Sequence, residues 1–487
     1  MTLAPLLVPA LRWSPEHGFA HLGRTIDEAL EAGVGGFLMF GGPRTAAADL
    51  AQELHARSAI PLLIAADAER GAGQQFDGCV PLPPLGALGF LNDAVCMRRA
   101  GQVTARDLKR TGLNWALAPV CDVDFAPGNA IIGTRAAGRD PAAVGALIAE
   151  WIDGCQSEGV MACAKHFPGH GRADGDSHDA LPSVTIGAKW IENDELAPFR
   201  AALDAGVASV MTAHVAYPAL DPSRVPATLS AAILTSLLRE TMEFDGLIVS
   251  DALEMRGVLS AGPEPDVAIR AVAAGCDVLL APSDVAGAVR ALERGVQRGE
   301  LPLDRARDAM ARRDQWARWA RPAGGREPSL DDEIWSRHIA DAAVHVLRGA
   351  IPRVGHAVEL VLVDDDAAGP WPVPVRAHFA EALDALEVEV NVMDLRSGGT
   401  RVPVLVAAYA DAVAGKAEAG FSLASRNRVE RTLATAREQK RESLVVLFSH
   451  PRNAAQFAGA PNVLCAWGGE KPMQAAAARV IARASRS

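Results

Sequence analysis

Lys165, His166, His170, Asp176 and His178 fall within fourteen residues, in the run Ala164-Lys165-His166-Phe167-Pro168-Gly169-His170-Gly171 followed by Asp176-Ser177-His178. Imidazoles exchange protons near neutral pH, and a nearby carboxylate can fix the tautomer and hold the proton until it is needed. The side chains are those of proton transfer and of clamping a polar ligand. An apolar stretch, Val160-Met161-Ala162-Cys163-Ala164, leads into them and reads as a buried strand. Pro168-Gly169 then breaks it into a short polar loop. A solvated surface loop also carries charge, but it needs no buried strand to deliver it. Parallel α/β proteins place their chemistry at the C-terminal ends of such strands.

The strand belongs to a theme repeated over the first two-thirds of the chain: short apolar strand, polar loop, amphipathic helix. Strand candidates are Leu6–Leu11, Gly36–Phe40, Pro61–Asp67, Trp115–Val120, the Met161 strand, Ser209–His214, Gly246–Asp251 and Asp277–Pro282. Thr25-Ile26-Asp27-Glu28 fits a capping box, and the helix it opens stops at Gly33. Eight apolar strands alternating with helices predict a (β/α)8 TIM-type barrel, with an open doubly wound sheet as the competing architecture. The polar groups favour the barrel. Asp67, Asp122, Lys165, His166, His214 and Asp251 each stand at or just past a strand's C-terminal end.

The predicted barrel occupies residues 1–320. Residues 321–330, Arg-Pro-Ala-Gly-Gly-Arg-Glu-Pro-Ser-Leu, read as a linker. Residues 331–487 read as a smaller α/β sandwich, with a helix at Ile334–Leu347 and strands at Val358–Val363, Val388–Met393, Val402–Ala407, Leu444–Phe448 and Val463–Ala466. Arg376–Leu386 and Asn427–Glu438 read as helices between them. No Gly-rich loop joins a strand to a helix there, so no nucleotide is expected.

Of the 487 residues, 49% are apolar and 22% charged, the balance of an ordinary globular protein. The net charge of −11 is interspersed, which argues against nucleic acid, since phosphate binding needs a basic face. The first nine residues have no basic n-region, and their apolar run is too short for a membrane span. Seven cysteines are scattered without CxxC spacing, which predicts free thiols, a reducing compartment and hence the cytoplasm. His and Cys never recur at ligand spacing, so neither a metal nor another cofactor is expected. No feature sets an oligomeric state.

Glycoside cleavage suits this set of groups, because it needs a carboxylate on one face of the anomeric carbon and a proton donor for the leaving oxygen. Asp251 is placed to be the carboxylate; its alternative is an N-cap for a helix starting near Leu253. Asp176 and His178 offer the donor. Lys165 and His166 are donors suited to sugar hydroxyls, Asp67 is an acceptor for two vicinal hydroxyls, and Arg135 in Gly133-Thr134-Arg135 is a further fixed donor. Each of these four could equally satisfy a surface or core neighbour.

The run Lys-His-Phe-Pro-Gly-His-Gly, then Asp-Ser-His, then Ile248-Val249-Ser250-Asp251-Ala252-Leu253-Glu254-Met255, resembles glycoside hydrolase family 3, in its β-N-acetylglucosaminidase (NagZ-like) branch. Ala66-Asp67-Ala68-Glu69, Met211-Thr212-Ala213-His214 and Pro226-Ala227-Thr228-Leu229-Ser230 support it. The likeness covers about residues 1–320, and the C-terminal domain only in outline. It implies Asp251 as a nucleophile forming a covalent glycosyl-enzyme with retention, and His178, paired with Asp176, as the mobile-loop general acid/base. It implies Asp67, Arg135, Lys165 and His166 as the site for a non-reducing GlcNAc, with His214 among the substrate-binding residues. The pattern departs from the family at Gln75, where an Arg is usual, at Arg172-Ala173 in place of Asp-Thr, and at Ala136-Ala137 after Arg135, where Ser-Phe is usual. These changes touch the pocket rim and the aglycone side. The expected activity is removal of terminal β-linked GlcNAc from small glycans, peptidoglycan or chitin fragments. Phosphorolysis, another family 3 specificity, and a catalytically silent sugar-binding protein are the competing readings; the last would need the nucleophile or the dyad to be missing.

Overall fold

The computed structural model describes residues 2–178, 180–320, 330–366, 375–392, 402–411 and 419–486. It divides into two compact units, one of Met1–Pro81, Asp93–Ala126 and Ala136–Asp332, the other of Leu82–Asn92, Pro127–Arg135 and Glu333–Ser487. Two short stretches inside residues 1–320 thus group with the second unit. The expected linker lies outside the described residues apart from Leu330.

In the first unit the strands are β1 (Leu7–Val8), β2 (Ala10–Arg12), β3 (Gly36–Phe40), β4 (Leu63–Ala66), β5 (Trp115–Ala116), β6 (Cys163–Phe167), β7 (Ser209–Thr212), β8 (Leu247–Val249) and β9 (Leu279–Leu280). β1 and β2 are one strand position interrupted at Pro9, which has no N–H to give. β2 through β5 pair in sequence, Trp115 and Val120 bridge to Met161 and Lys165, and β6 through β8 pair in turn. Val249 bridges to Val278, and β9 pairs with β1 rather than ending at an edge. Every pairing is parallel, in the strand order of a (β/α)8 TIM-type barrel.

The strands are apolar on both faces because one faces the helices and the other the barrel interior. Inside, Val8, Leu38, Leu63, Met161, Leu247 and Leu280 belong to a single buried cluster that Ala317 and Ala320 join from the helix Leu303–Trp319 and its end. Trp115 donates its buried indole N–H to Ser209 Oγ at 2.9 Å, so the largest ring of the interior is also satisfied. Gly36 is obligatory: a Cβ there would sit 1.9 Å from the Leu63 carbonyl oxygen of the next strand.

Two local expectations change. β6 begins at Cys163 and runs through Phe167, later than the apolar run suggests, because its ladder to β7 starts at Cys163 and Ser209. Lys165 and His166 are therefore strand residues. The helix Gly23–Ala32 does end at Gly33 (φ +81°), but Leu22 holds its cap position without a side-chain bond, and the capping box at Thr25 does not form.

The second unit contains β10 (His345–Arg348), β11 (Ala357–Asp364), β12 (Glu389–Val392), β13 (Val404–Ala410), β14 (Ser443–Ser449) and β15 (Val463–Cys465), in the order β10-β15-β14-β13-β11-β12. All pair in parallel except β10. Alternate residues of β11 feed two separate cores, Val358 and Leu360 on one face, Val361 and Val363 on the other, which makes an α/β sandwich. The helix expected at Ile334–Leu347 is instead Leu330–Ala343; His345 onward is captured by β15 as an antiparallel edge strand.

Candidate active site

The first unit gathers polar side chains at the C-terminal ends of its strands. Lys165, near the end of β6, places Nζ 2.7 Å from Asp67 Oδ1 and 2.8 Å from Glu69 Oε1, both just past β4. Lys165 is 3% exposed while Asp67 is 31% exposed, so the buried ammonium anchors a carboxylate that still faces the mouth. His166 Nδ1 lies 2.7 Å from Asp122 Oδ2, and Asp122 Oδ1 accepts the His170 backbone N–H. Burial pushes the Asp122 carboxyl up, but His166, His170 and these hydrogen bonds outweigh it and hold it below its ordinary value.

Asp251 follows β8 and accepts the Ala252 N–H on Oδ1 at 2.8 Å. Burial alone would raise its pKa; His214, His166 and His178 together bring it below the ordinary carboxylate value. The helix after it is Arg256–Leu259, with Met255 in the cap position, so Asp251 caps nothing. His214 is fully buried. Its Nε2 lies 3.0 Å from the Ala252 carbonyl, which can only accept, and its Nδ1 lies 2.7 Å from Thr228 Oγ1. The Ala252 carbonyl places a proton on Nε2, while Nδ1 faces the Thr228 hydroxyl, which also donates to the Ala213 carbonyl at 3.3 Å. Burial, the largest influence on it, lowers its pKa.

Asp176 and His178 stand on the loop beyond β6. His178 Nδ1 is 2.7 Å from Asp176 Oδ1, and the His178 backbone N–H donates to the same oxygen at 2.9 Å. The Asp176 side chain is 8% exposed and that of His178 37%. Ser177 O accepts the Gly257 N–H at 2.9 Å, and a Cβ on Gly257 would lie 2.7 Å from that oxygen and 3.2 Å from the His214 carbonyl oxygen. The dyad loop is thereby seated on the turn that follows Asp251. Burial pushes the Cys163 thiol in β6 up to about 12, with Ser209 and Lys165 opposing the rise and Asp67 and Asp251 adding to it.

Asp67, Lys165, His166, Asp176, His178, His214 and Asp251 thus share one mouth. Arg135 lies in the turn Gly133–Arg135, which groups with the second unit, and donates Nη1 to the Ile131 carbonyl at 2.9 Å. Glu69, Thr228 and Gly257 were not legible as site residues. Only Glu69, two residues past Asp67 at a strand end, carried a signal. Among the described residues no cluster of His, Cys, Asp and Glu is arranged to hold a metal, and no helix is long and apolar enough to cross a membrane.

Residues 25–313, more than half of the chain, match the model of the glycosyl hydrolase family 3 N terminal domain. The chain belongs to glycosyl hydrolase family 3. A β-hexosaminidase of Chromobacterium violaceum is 43% identical over 238 residues, 47% of this family 3 chain and 66% of that protein. A β-N-acetylglucosaminidase/β-glucosidase of Cellulomonas fimi is 32% identical over 288 residues, 57% of this chain and 51% of its own. Among solved structures, a glycoside hydrolase family 3 β-N-acetylglucosaminidase from Paenibacillus sp. strain FPU-7 superposes with a TM-score of 0.85 at 26% identity, covering 99% of this chain and 96% of the other. The chain spans roughly half to two-thirds of these two sequence relatives, and nearly all of the solved structure.

Proposed function

We propose that this family 3 chain is a retaining exo-β-N-acetylglucosaminidase. The observation that carries the reading is the seat of the Asp176–His178 loop on the Gly257 turn, which supports an imidazole and the Asp251 carboxylate acting on one linkage. Asp251 is ionised at neutral pH and attacks the anomeric carbon; the C–O bond to the aglycone breaks as His178 gives its proton to the leaving oxygen. Asp176 accepts the Nδ1–H of His178, which leaves Nε2 to face that oxygen. Water then enters, His178 takes its proton, and the oxygen displaces Asp251 from the sugar, so configuration is retained.

Asp67, held by Lys165, and His166, held by Asp122, bind the non-reducing GlcNAc. His214 acts as a positioning residue, fixing the Ala252 carbonyl beside the nucleophile. Small GlcNAc-bearing glycans, including peptidoglycan and chitin fragments, are the substrate class. Seven buried, unpaired cysteines support a reducing, cytoplasmic setting.

A second reading is favoured by the dyad itself and by the double name of the Cellulomonas fimi relative. A neutral or cationic imidazole repels incoming phosphate less than a carboxylate acid would, so phosphorolysis and β-glucoside cleavage stay in play. The test is a panel of aryl β-glycosides (GlcNAc, Glc, Xyl, GalNAc) with and without phosphate. Hydrolysis of the GlcNAc member, indifferent to phosphate and abolished by Asp251→Ala, is the expected outcome. Wild-type rates in Asp251→Ala would refute the assignment.

A further inference from the structure

The loop that carries the dyad has glycines at 169, 171 and 175, the residues with the least backbone resistance to bending. Two of them are fixed by close packing. A Cβ at Gly171 would fall 1.8 Å from the Val123 carbonyl oxygen, and one at Gly169 would fall 2.5 Å from Glu195 Oε2. Tyr217 also donates to the Gly169 carbonyl at 2.6 Å. These contacts hold the loop's backbone at its first turn. Next along the chain is Arg172, four residues before Asp176.

Arg172 stands where the family pattern has an aspartate, so its partners belong to this chain rather than to the motif. Its guanidinium lies over the Phe125 ring, 3.4 Å from the centroid. Nη2 donates to Asp194 Oδ2 at 2.9 Å and Nη1 to Glu195 Oε1 at 3.2 Å, both on the π-helical turn Ile191–Glu195. One side chain thus joins three elements: the dyad loop, the segment after Val123 and the π-turn. We propose that Arg172 is a positioning residue for the general acid, fixing the base of the loop on which Asp176 and His178 stand.

The geometry fits that task better than a surface ion pair would. The Glu195 side chain is fully buried, and its Oε2 meets no hydrogen-bond partner among the described residues, so the carboxyl is there to receive Arg172 and to press on Gly169. A planar guanidinium reaches two carboxyls and a ring face at once, which an ammonium cannot do. The far end of the loop is held by Ser183, whose carbonyl accepts the Asp174 backbone N–H and whose own N–H donates to Asp174 Oδ1. Arg172 holds the near end. Between the two, Ser177 is left to meet Gly257.

This inference rests on the acid role proposed for His178, and one experiment separates the two. Wild type, His178→Ala, Arg172→Ala, Arg172→Lys and Asp194→Asn are assayed on para-nitrophenyl β-GlcNAc, whose leaving group needs little protonation, and on methyl β-GlcNAc, whose leaving group needs it fully. A displaced acid should lower kcat on the methyl glycoside by roughly 10- to 100-fold and on the nitrophenyl glycoside by no more than about three-fold. Arg172→Lys and Asp194→Asn should follow in the same direction with smaller ratios; both keep the fold testable if Arg172→Ala melts early. Equal losses on both substrates, or none, would overturn the positioning role while His178→Ala still showed the leaving-group dependence. Loss of that dependence in His178→Ala would overturn the acid assignment, and the role of Arg172 with it.

Discussion

Glu195 offers a quantitative check on how this part of the barrel is built. Its side chain is fully buried, and burial, the dominant influence, pushes its carboxyl up to about 8, against the opposing pull of Arg172; Asp122 and Asp194 add to the rise. Below the ordinary value of 4.5 the group is protonated whether the chain is folded or unfolded, so it adds no pH dependence. Between 4.5 and about 8 the unfolded chain ionises it while the folded chain keeps the proton. Folding is therefore penalised progressively as pH rises, and fully above about 8. At about 1.4 kcal/mol per pH unit the whole gap is on the order of 5 kcal/mol, of which about 3 kcal/mol falls between about pH 5.5 and 7.5. Glu195→Gln is the natural perturbation, since an amide mimics the neutral acid and its oxygen can still accept from Arg172. A buried amide N–H without an acceptor adds a constant cost of about 1–3 kcal/mol, so the slope with pH carries the test and the offset does not. Urea unfolding at several pH values, followed by the fluorescence of the buried Trp115 and Trp151, measures it. The variant should gain stability relative to wild type as pH rises. Parallel pH dependence in the two proteins would refute a neutral, buried Glu195.

Other perturbations test the site itself. His178→Ala should cost roughly 100-fold or more on alkyl or disaccharide substrates and far less on aryl glycosides, read from kcat values across a leaving-group series. Lys165→Met leaves Asp67 and Glu69 facing each other without their cation; KM for aryl β-GlcNAc should rise roughly ten-fold or more, with a lowered melting temperature. Gly257→Ala drives a methyl to 2.7 Å from the Ser177 carbonyl oxygen, and kcat should fall by roughly ten-fold or more while far-UV circular dichroism is unchanged. The acid limb of kcat/KM should lie below the ordinary carboxylate range, because the three surrounding histidines outweigh burial at Asp251, and activity is lost only as pH falls through that lowered value.

The barrel was legible because its strands are apolar on both faces and each ends on a polar group; Gly36–Phe40 is both predicted and observed. The Lys165–His166 pair was legible as chemistry at a strand end; only the start of that strand was read too early, since the apolar run before it hides where the ladder to β7 begins. The capping box at Thr25 misled because the helix already starts at Gly23, out of a 3-10 turn at Ala20–Leu22 that propensity does not announce. β10 was hidden in a helical pattern: an edge strand of four residues owes its state to its partner β15, not to its own sequence. The partners of Glu69 and Thr228 were not legible for a related reason. These two side chains satisfy Lys165 and His214, residues distant in sequence, and only the folded barrel brings the partners together.

The two catalytic groups proposed here are held in opposite ways, and the chemistry explains the contrast. A nucleophile must stay ionised and must not move while it displaces the aglycone and is itself displaced. Asp251 sits directly after a barrel strand, bonded to the next backbone N–H and surrounded by three imidazoles. A general acid/base must lose and regain a proton in each cycle and let the aglycone leave past it. His178 accordingly stands on a loop, more exposed than Asp67, Lys165 or Asp176, with its tautomer fixed by Asp176 and its place held by the loop's ends and the Ser177–Gly257 contact. A glutamate acid could be tuned by burial alone, because its ordinary value lies well below neutral. Histidine already titrates near neutral pH, so this chain can leave its acid half exposed and use the loop's attachments, rather than desolvation, to set where the proton goes.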